Sequence, residues 1–333
     1  MKHPFIILLG FIIFIGICIC GFLLNDNQVL YGNSLRHTDL PQSVSKAGTE
    51  TTWSIGIYRG PSPFQLSSPP NVSNPVLTAG DVTDVDAALV AHPFMTVTDS
   101  VYYMFFTVKD KINQHGSIGL AESPNGVDWE YRQIVIDEPY DLSYPYIFQW
   151  QDEYYMIPEA HTETSVRLYR AIDFPTRWTY EKDLISGDGD HFISPSIFRY
   201  KEMWWMFIAR SGNETLRLFY ASDLMGPWTE HPLSPVVEKN LDTARPAGKP
   251  VVIGGILYRM GQDCYPTYGN QVRAFQITAI STKTYEEEMI DAPIIKATST
   301  GWNEYAMHHV DLHQIDKNLW ITPVDGQGNL SIK

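Results

Sequence analysis

From residue 144 to 181 the chain reads YPYIFQWQDEYYMIPEAHTETSVRLYRAIDFPTRWTYE, and pieces of this stretch come back along most of the sequence. Runs of Tyr, Ile, Phe, Val and Trp bounded by turn residues predict four short strands, at 145–150, 154–158, 166–171 and from 178 on. The first half of the unit recurs as HPFMTVTDSVYYMFF from His92, SPSIFRYKEMWWMFI from Ser194, KPVVIGGILYRM from Lys249 and HHVDLHQIDKNLWIT from His308, at spacings of 52, 50, 55 and 59 residues. The second half recurs as SIGLAESPNGVDWEY from Ser117, LRLFYASDLMGPWTE from Leu216 and VRAFQITAISTKTYEE from Val272. A period near fifty residues built from short strands is the signature of a β-propeller.

The fifth second half does not follow the fifth first half. It stands at the start, as SIGIYRGPSPFQL from Ser54. The expectation is an all-β, five-bladed propeller whose last blade is closed by N- and C-terminal strands, leaving no open edge. One small twisted sheet cannot bury both faces alone, so the paired aromatics Tyr102–Tyr103, Tyr154–Tyr155 and Trp204–Trp205 are expected to fill the space between blades, one side chain to each face.

Residues 5–24, FIILLGFIIFIGICICGFLL, carry no charge. Twenty residues rising about 1.5 Å each span a hydrocarbon layer of about 30 Å. The run is longer than a signal-peptide core and lacks a small-x-small site. Residues 1–24 are therefore expected to be a transmembrane helix, 25–52 a polar stalk and 53–333 the propeller. Lys2 favours a cytoplasmic N-terminus and a globular part that is extracytoplasmic or lumenal. The net charge of −14 argues against a nucleic-acid surface. Only Cys264 lies in the globular part, so no internal disulfide is expected there. Asn71-Val-Ser73, Asn213-Glu-Thr215 and Asn329-Leu-Ser331 are glycosylation sequons, which matter only in a eukaryotic secretory host.

In a propeller the innermost strands line an axial channel, so two positions per blade bear on chemistry. The first residues of the inner strands are His92, Tyr144, Ser194, Lys249 and His308. The last residues of the aromatic strands are Thr107, Glu159, Arg210, Asp263 and Asp325. Acids converging from different blades could act on a glycosidic bond, which makes Glu159, Asp263 and Asp325 the candidate catalytic groups. His92, Tyr144, Arg210, Arg245, His308, His309 and Asp311 are candidate substrate contacts. His309, Asp311 and His313 alternate along one strand face over about 13 Å, too far apart for one ion, so no metal site is expected. The sequence leaves the question of a cofactor open.

Taken in order, AHPFMTVTDSVYYMFF, GSIGLAES, LSYPYIFQWQDEYYMIPE, VRLYRAIDFPTRW, LFYASDLMGPWTEHPLSPV, ARPAGKP, LYRMGQDC and the HHVD segment resemble the N-terminal domain of plant glucosamine inositolphosphorylceramide transferases and their microbial relatives. The resemblance spans about residues 53–326. It implies a five-bladed propeller like those of arabinanase- and invertase-type glycosidases, with a carbohydrate or glycolipid ligand. The plant enzymes carry a separate C-terminal glycosyltransferase domain that this sequence does not reach, so transfer itself is not expected of it. The family's first blade usually reads A-D-P-F and ends its aromatic strand on Glu; here those places hold His92 and Thr107. Three readings are open: a membrane-anchored glycan-binding propeller that assists glycosyl transfer, a glycosidase or transglycosidase using Glu159 with a second acid, and a protein-interaction scaffold.

Overall fold

The computed structural model describes residues 49–187 and 189–331. The expected membrane helix and residues 25–48 of the expected stalk lie outside the described residues. Among the described residues no helix is long and apolar enough to cross a membrane.

The chain opens with β1 (Thr49–Ser62) and β2 (Gln65–Ser67). Blade one comes next as β3 (Ala87–Thr98), β4 (Val101–Asp110), β5 (Gly116–Ser123) and β6 (Glu130–Ile136), and blade two as β7 (Ser143–Trp150), β8 (Glu153–Glu159), β9 (Ser165–Asp173) and β10 (Arg177–Ser186). Blade three is β11 (Phe192–Tyr200), β12 (Met203–Arg210), β13 (Leu216–Ala221) and β14 (Thr229–Glu230). Blade four holds β15 (Arg245–Pro246), β16 (Val251–Ile253), β17 (Ile256–Asp263), β18 (Gln271–Ile280), β19 (Tyr285–Met289) and β20 (Ile295–Lys296). The chain returns as β21 (His313–Asp316) and β22 (Leu319–Ser331). Among the described residues five antiparallel sheets result, and one of them, blade five, is ordered β2-β1-β22-β21. There β1 pairs with β22 without a register break, from Thr49 opposite Ser331 to Gly60 opposite Trp320. The strand thus begins at Thr49, earlier than the expected domain start at Trp53, because the end of β22 offers its backbone a partner.

The core lies between blades. Met104 and Phe106 of β4 pack with Ile55 and Ile57 of β1, while Phe105 between them packs toward blade two. Trp204 and Trp205 divide likewise, the first toward blade two and the second toward Leu257 and Ile277 of blade four. This is the period-two alternation of a strand buried on both faces. Among the described residues there is no α-helix, only three single-turn 3-10 segments.

Each of the first three inner strands carries a bulge near its start, where the pairing skips between Ala91 and Phe94, Ser143 and Tyr146, and Ile193 and Ser196. The residues at these bulges, His92, Tyr144 and Ser194, are left-handed, with φ of 51°, 48° and 49°. Such backbone costs about 1–3 kcal/mol for a residue with a side chain. It also turns the residue's N–H out of its own sheet, and that N–H is the starting point of the axial site.

Candidate functional site

At three blade boundaries a side chain from the end of one aromatic strand accepts the N–H turned out by the next bulge. Tyr144 N–H donates to Thr107 Oγ1 at 3.1 Å, Ser194 N–H to Glu159 Oε2 at 2.8 Å, and His92 N–H to Asp325 Oδ2 at 2.9 Å, the last joining blade five to blade one. A hydrogen bond to a charged group contributes about 1.5–3 kcal/mol, enough to offset the backbone strain. The two sets of positions singled out in the sequence are thus donors and acceptors of one repeated latch.

The remaining two places break the pattern. Arg210, half exposed at the end of β12, turns away to pair with Asp190 at 2.7 Å. Asp263 is buried but turns back into its own blade, accepting from Gln271 Nε2 at 2.7 Å, Arg273 Nε at 3.1 Å and Tyr265 N–H at 3.1 Å.

Of the three candidate acids, Glu159 alone lines the axial cavity, a space of about 50 Å³ whose wall also carries Trp53, His92, Thr107, Lys109 and Asp141. The carboxylate of Glu159 is held by Ser194 and by Arg245, whose Nη2 lies 3.3 Å away. Arg245 is buried; its Nε donates to Ser194 Oγ at 3.0 Å and its Nη1 to Asn213 Oδ1 at 2.9 Å. Burial alone would weaken this guanidinium's hold on its proton, but the neighbouring Glu159 opposes that and the group stays charged. Burial pushes the Tyr268 phenol up to about 12. Lys109 pairs with Asp141 at 3.4 Å. The wall therefore pairs each acid with a base.

Beneath this wall the candidate contacts separate by blade. Tyr144 reaches across the axis: its hydroxyl accepts the Gly248 N–H at 2.8 Å and bonds Ser196 Oγ at 2.9 Å. His308 stacks between Trp53 and His92, with ring centroids 3.8 and 4.6 Å away, and its Nδ1 bonds Asp325 Oδ1 at 2.7 Å. Burial would push the Asp325 carboxyl up, but His308 outweighs it and holds the group below the ordinary carboxylate range. Asp311 accepts the Met95 N–H at 2.6 Å and faces Lys249 at 3.1 Å and His313 at 2.7 Å. His309 donates through Nε2 to the Pro93 carbonyl at 3.0 Å.

His92, His308 and Asp325 are all buried, with possible ligand atoms within 4.8 Å of one another. Their arrangement does not suit an ion. The two imidazoles are stacked 14° from parallel, so their in-plane lone pairs run side by side instead of converging. Both Asp325 oxygens already accept backbone N–H groups.

Trp53, Lys109, Asp141 and Asn213 are site residues that the repeat pattern does not mark. Asp141 stands three residues before Tyr144, on the connection into the bulge, and that fixed offset is the signal by which it could have been found.

Residues 45–327 match the family model described as glucosamine inositolphosphorylceramide transferase 1, N-terminal. The chain belongs to this family. Glucosamine inositolphosphorylceramide transferase 1 of Oryza sativa subsp. japonica is 36% identical over 302 residues, covering 83% of this chain and 40% of the rice protein. The Arabidopsis thaliana protein of the same name is 32% identical over 303 residues, covering 83% and 39%. The chain thus spans about two fifths of the length of these relatives. Among solved structures, a putative glycoside hydrolase from Bacteroides ovatus superposes with a TM-score of 0.59 at 13% identity, covering 79% of this chain and 95% of that one. The catalytic domain of an α-L-arabinofuranosidase from Coprinopsis cinerea gives 0.54 at 13%, covering 72% and 90%. At such identity the likeness is one of fold alone. In this member of the glucosamine inositolphosphorylceramide transferase family, the places where the resemblance leads one to expect two acids in blade one hold His92 and Thr107, bonded to each other at 3.2 Å.

Proposed function

We infer that this chain is a membrane-anchored propeller that binds the sugar portion of a glycan or glycolipid and assists glycosyl transfer performed by another domain or protein. The observation that carries this reading is the axial wall, where Glu159 and Asp141 face one cavity and each is neutralised by a neighbouring base, Arg245 and Lys109. A pre-paired, fixed carboxylate accepts hydroxyl hydrogen bonds without reorganising, which favours binding. Membership of a family named for transfer to inositolphosphorylceramide supports a glycolipid ligand. The apolar run at residues 5–24 supports an anchor, with the propeller extracytoplasmic or lumenal. His92, Tyr144, Arg245, His308, His309 and Asp311 then act as positioning groups around the cavity. The test is a glycan array read beside a hydrolysis assay on the same glycans. Binding that is weakened in Glu159→Gln, with no turnover in either protein, is the expected result. Turnover lost in Glu159→Gln would replace this reading.

One observation favours hydrolysis as a second reading. Asp141 joins Glu159 on the wall of the same cavity, so a two-carboxylate mechanism would use that pair in place of Asp263 or Asp325. Loss of turnover in both Glu159→Gln and Asp141→Asn is what it requires.

A further inference from the structure

Two successive connections between blades are built on one plan, and only the first is filled. Tyr140 stands four residues before the bulge residue Tyr144, and Asp190 stands four residues before Ser194. Each connection passes an arginine near the start of a third strand, Arg167 in Val-Arg-Leu-Tyr and Arg217 in Leu-Arg-Leu-Phe. In the first case the ring of Tyr140 covers the arginine, 4.6 Å from ring centre to guanidinium. Its hydroxyl accepts from Arg167 Nη1 at 2.9 Å and bonds the Tyr169 hydroxyl at 2.7 Å. In the second case the connection supplies the shorter Asp190, 2.6 Å from Arg217 Nη1, and beside the guanidinium lies a cleft of about 340 Å³.

The walls of this cleft are of two kinds. Phe192 and Phe219 lie buried under Arg217, with ring centres 5.5 and 5.0 Å from the guanidinium, and the half-buried indole of Trp228 is the aromatic surface on that side. On the polar side Arg217 is locked by Asp190 and by both oxygens of Glu230, at 2.8 and 2.5 Å, while Arg210 adds a second cation on Asp190. Two carboxylates and two guanidiniums balance, so the cleft favours a neutral ligand. Asp190 and Glu230 remain partly exposed and keep acceptor lone pairs toward solvent. The volume falls at the lower end of small-molecule pockets, about 300–1,000 Å³.

We propose that the cleft between blades two and three is a second saccharide subsite, which takes a neutral pyranose ring where the preceding connection places its own hydroxylated ring, Tyr140. The ring's C–H face packs on the Trp228 indole and its hydroxyls donate to Asp190 and Glu230. The choice of a sugar rests on the reading of the axial cavity as a glycan site. The geometry agrees with it, because Phe192 stands two residues before Ser194, which bonds Glu159.

The indole N–H signals of the ¹⁵N-labelled full chain in detergent test the proposal. Trp228, whose Nε1 donates to Leu224 at 3.1 Å, reports on the cleft, and Trp53 reports on the axial cavity. The probes are glucose, galactose, mannose and N-acetylglucosamine at millimolar concentration. We expect Trp228 to shift with at least one of them, to shift still in Glu159→Gln, and to stay fixed in Asp190→Tyr, which copies the filled connection. Glu230→Gln keeps the fold while removing the charged acceptor, and about tenfold weaker binding at Trp228 is expected. A response at Trp53 alone would overturn the subsite and leave the axial reading standing. A Trp228 shift that survives Asp190→Tyr, or no shift at either indole, would also overturn it.

Discussion

Glu159 at the end of β8 accepts the N–H of Ser194 in β11 at 2.8 Å, so the acid that faces the axial cavity is also a bolt between blades two and three. Arg245, from blade four, reaches the same oxygen at 3.3 Å. Three blades therefore meet at one carboxylate, and ligand chemistry and fold stability share it.

Removing Arg245 tests this sharing. Arg245→Ala leaves Glu159 buried without its counter-charge, and breaking a buried pair in this way costs about 3–5 kcal/mol. Glu159→Gln keeps an acceptor for Ser194 and is expected to cost less. In the double variant the penalties should fall short of their sum, because the uncompensated charge is gone. Urea unfolding measures all three, and strictly additive penalties would show that the pair is not coupled.

Thr107 does for Tyr144 what Glu159 does for Ser194, without a charge. Thr107→Val keeps the shape but leaves the buried Tyr144 N–H without its acceptor and removes the partner of His92 Nδ1. An unsatisfied buried donor costs about 1–3 kcal/mol. Thr107→Ser should recover most of that. Equal unfolding midpoints for the Val and Ser variants would count against the latch.

The blades were legible in the sequence because each repeat carries the whole strand pattern, and β7 to β10 lie within a few residues of their expected limits, apart from the longer β10. The two rings of axial positions were legible for the same reason. What each position does was not. Glu159, Arg210 and Asp263 occupy matching places, yet one faces the cavity, one leaves for Asp190 and one folds back on Arg273. A matching place in the repeat fixes only a backbone position, and each side chain there follows the partner its own surroundings supply: Ser194 and Arg245 for Glu159, Asp190 for Arg210, and Gln271 and Arg273 for Asp263. The segment around His309 departs for another reason, because β21 begins only at His313 and residues 308–312 run outside a strand. Alternation puts His309, Asp311 and His313 on one face, whereas His309 contacts Pro93 and Asp311 joins Met95, Lys249 and His313. Asp141 and Trp53 lie on a connection and on the closing strand, outside the repeated axial positions.

Gly248 lies between β15 and β16, and here only glycine fits. Its φ is 145°, and an added Cβ would stand 1.8 Å from the Val310 carbonyl oxygen of blade five. Its N–H also donates to the Tyr144 hydroxyl across the axis. Gly248→Ala must push blade four from blade five, and a loss of more than about 3 kcal/mol is expected, beyond the ordinary range for a point substitution. Gly254→Ala, also at positive φ but with nothing within 4 Å of the added atom, is the control for backbone strain alone. Similar thermal midpoints for the two variants would remove the Val310 contact as the cause.

His309 sets how the fold responds to mild acid. Burial is the main cause that pushes its imidazole down, from 6.5 to about 4, although Asp325 and Asp311 oppose the shift. The ring is therefore neutral in the folded chain, and its Nε2 must carry the proton it donates to Pro93. As pH falls below about 6.5 the unfolded chain takes up a proton that the folded chain refuses, so stability falls with pH until about 4, where the folded ring is protonated too. The full loss is about 3 kcal/mol. Asp325 acts in a lower window: its depressed carboxyl contributes stability that is lost only as pH falls below the ordinary range near 3.9. His309→Gln, whose amide nitrogen reaches where Nε2 stands, keeps a donor for Pro93 and has nothing to titrate. Unfolding free energies measured between pH 7.5 and 4.5 should therefore fall about 2.5 kcal/mol further in the parent than in the variant. Parallel curves would mean that His309 is not held neutral by the fold.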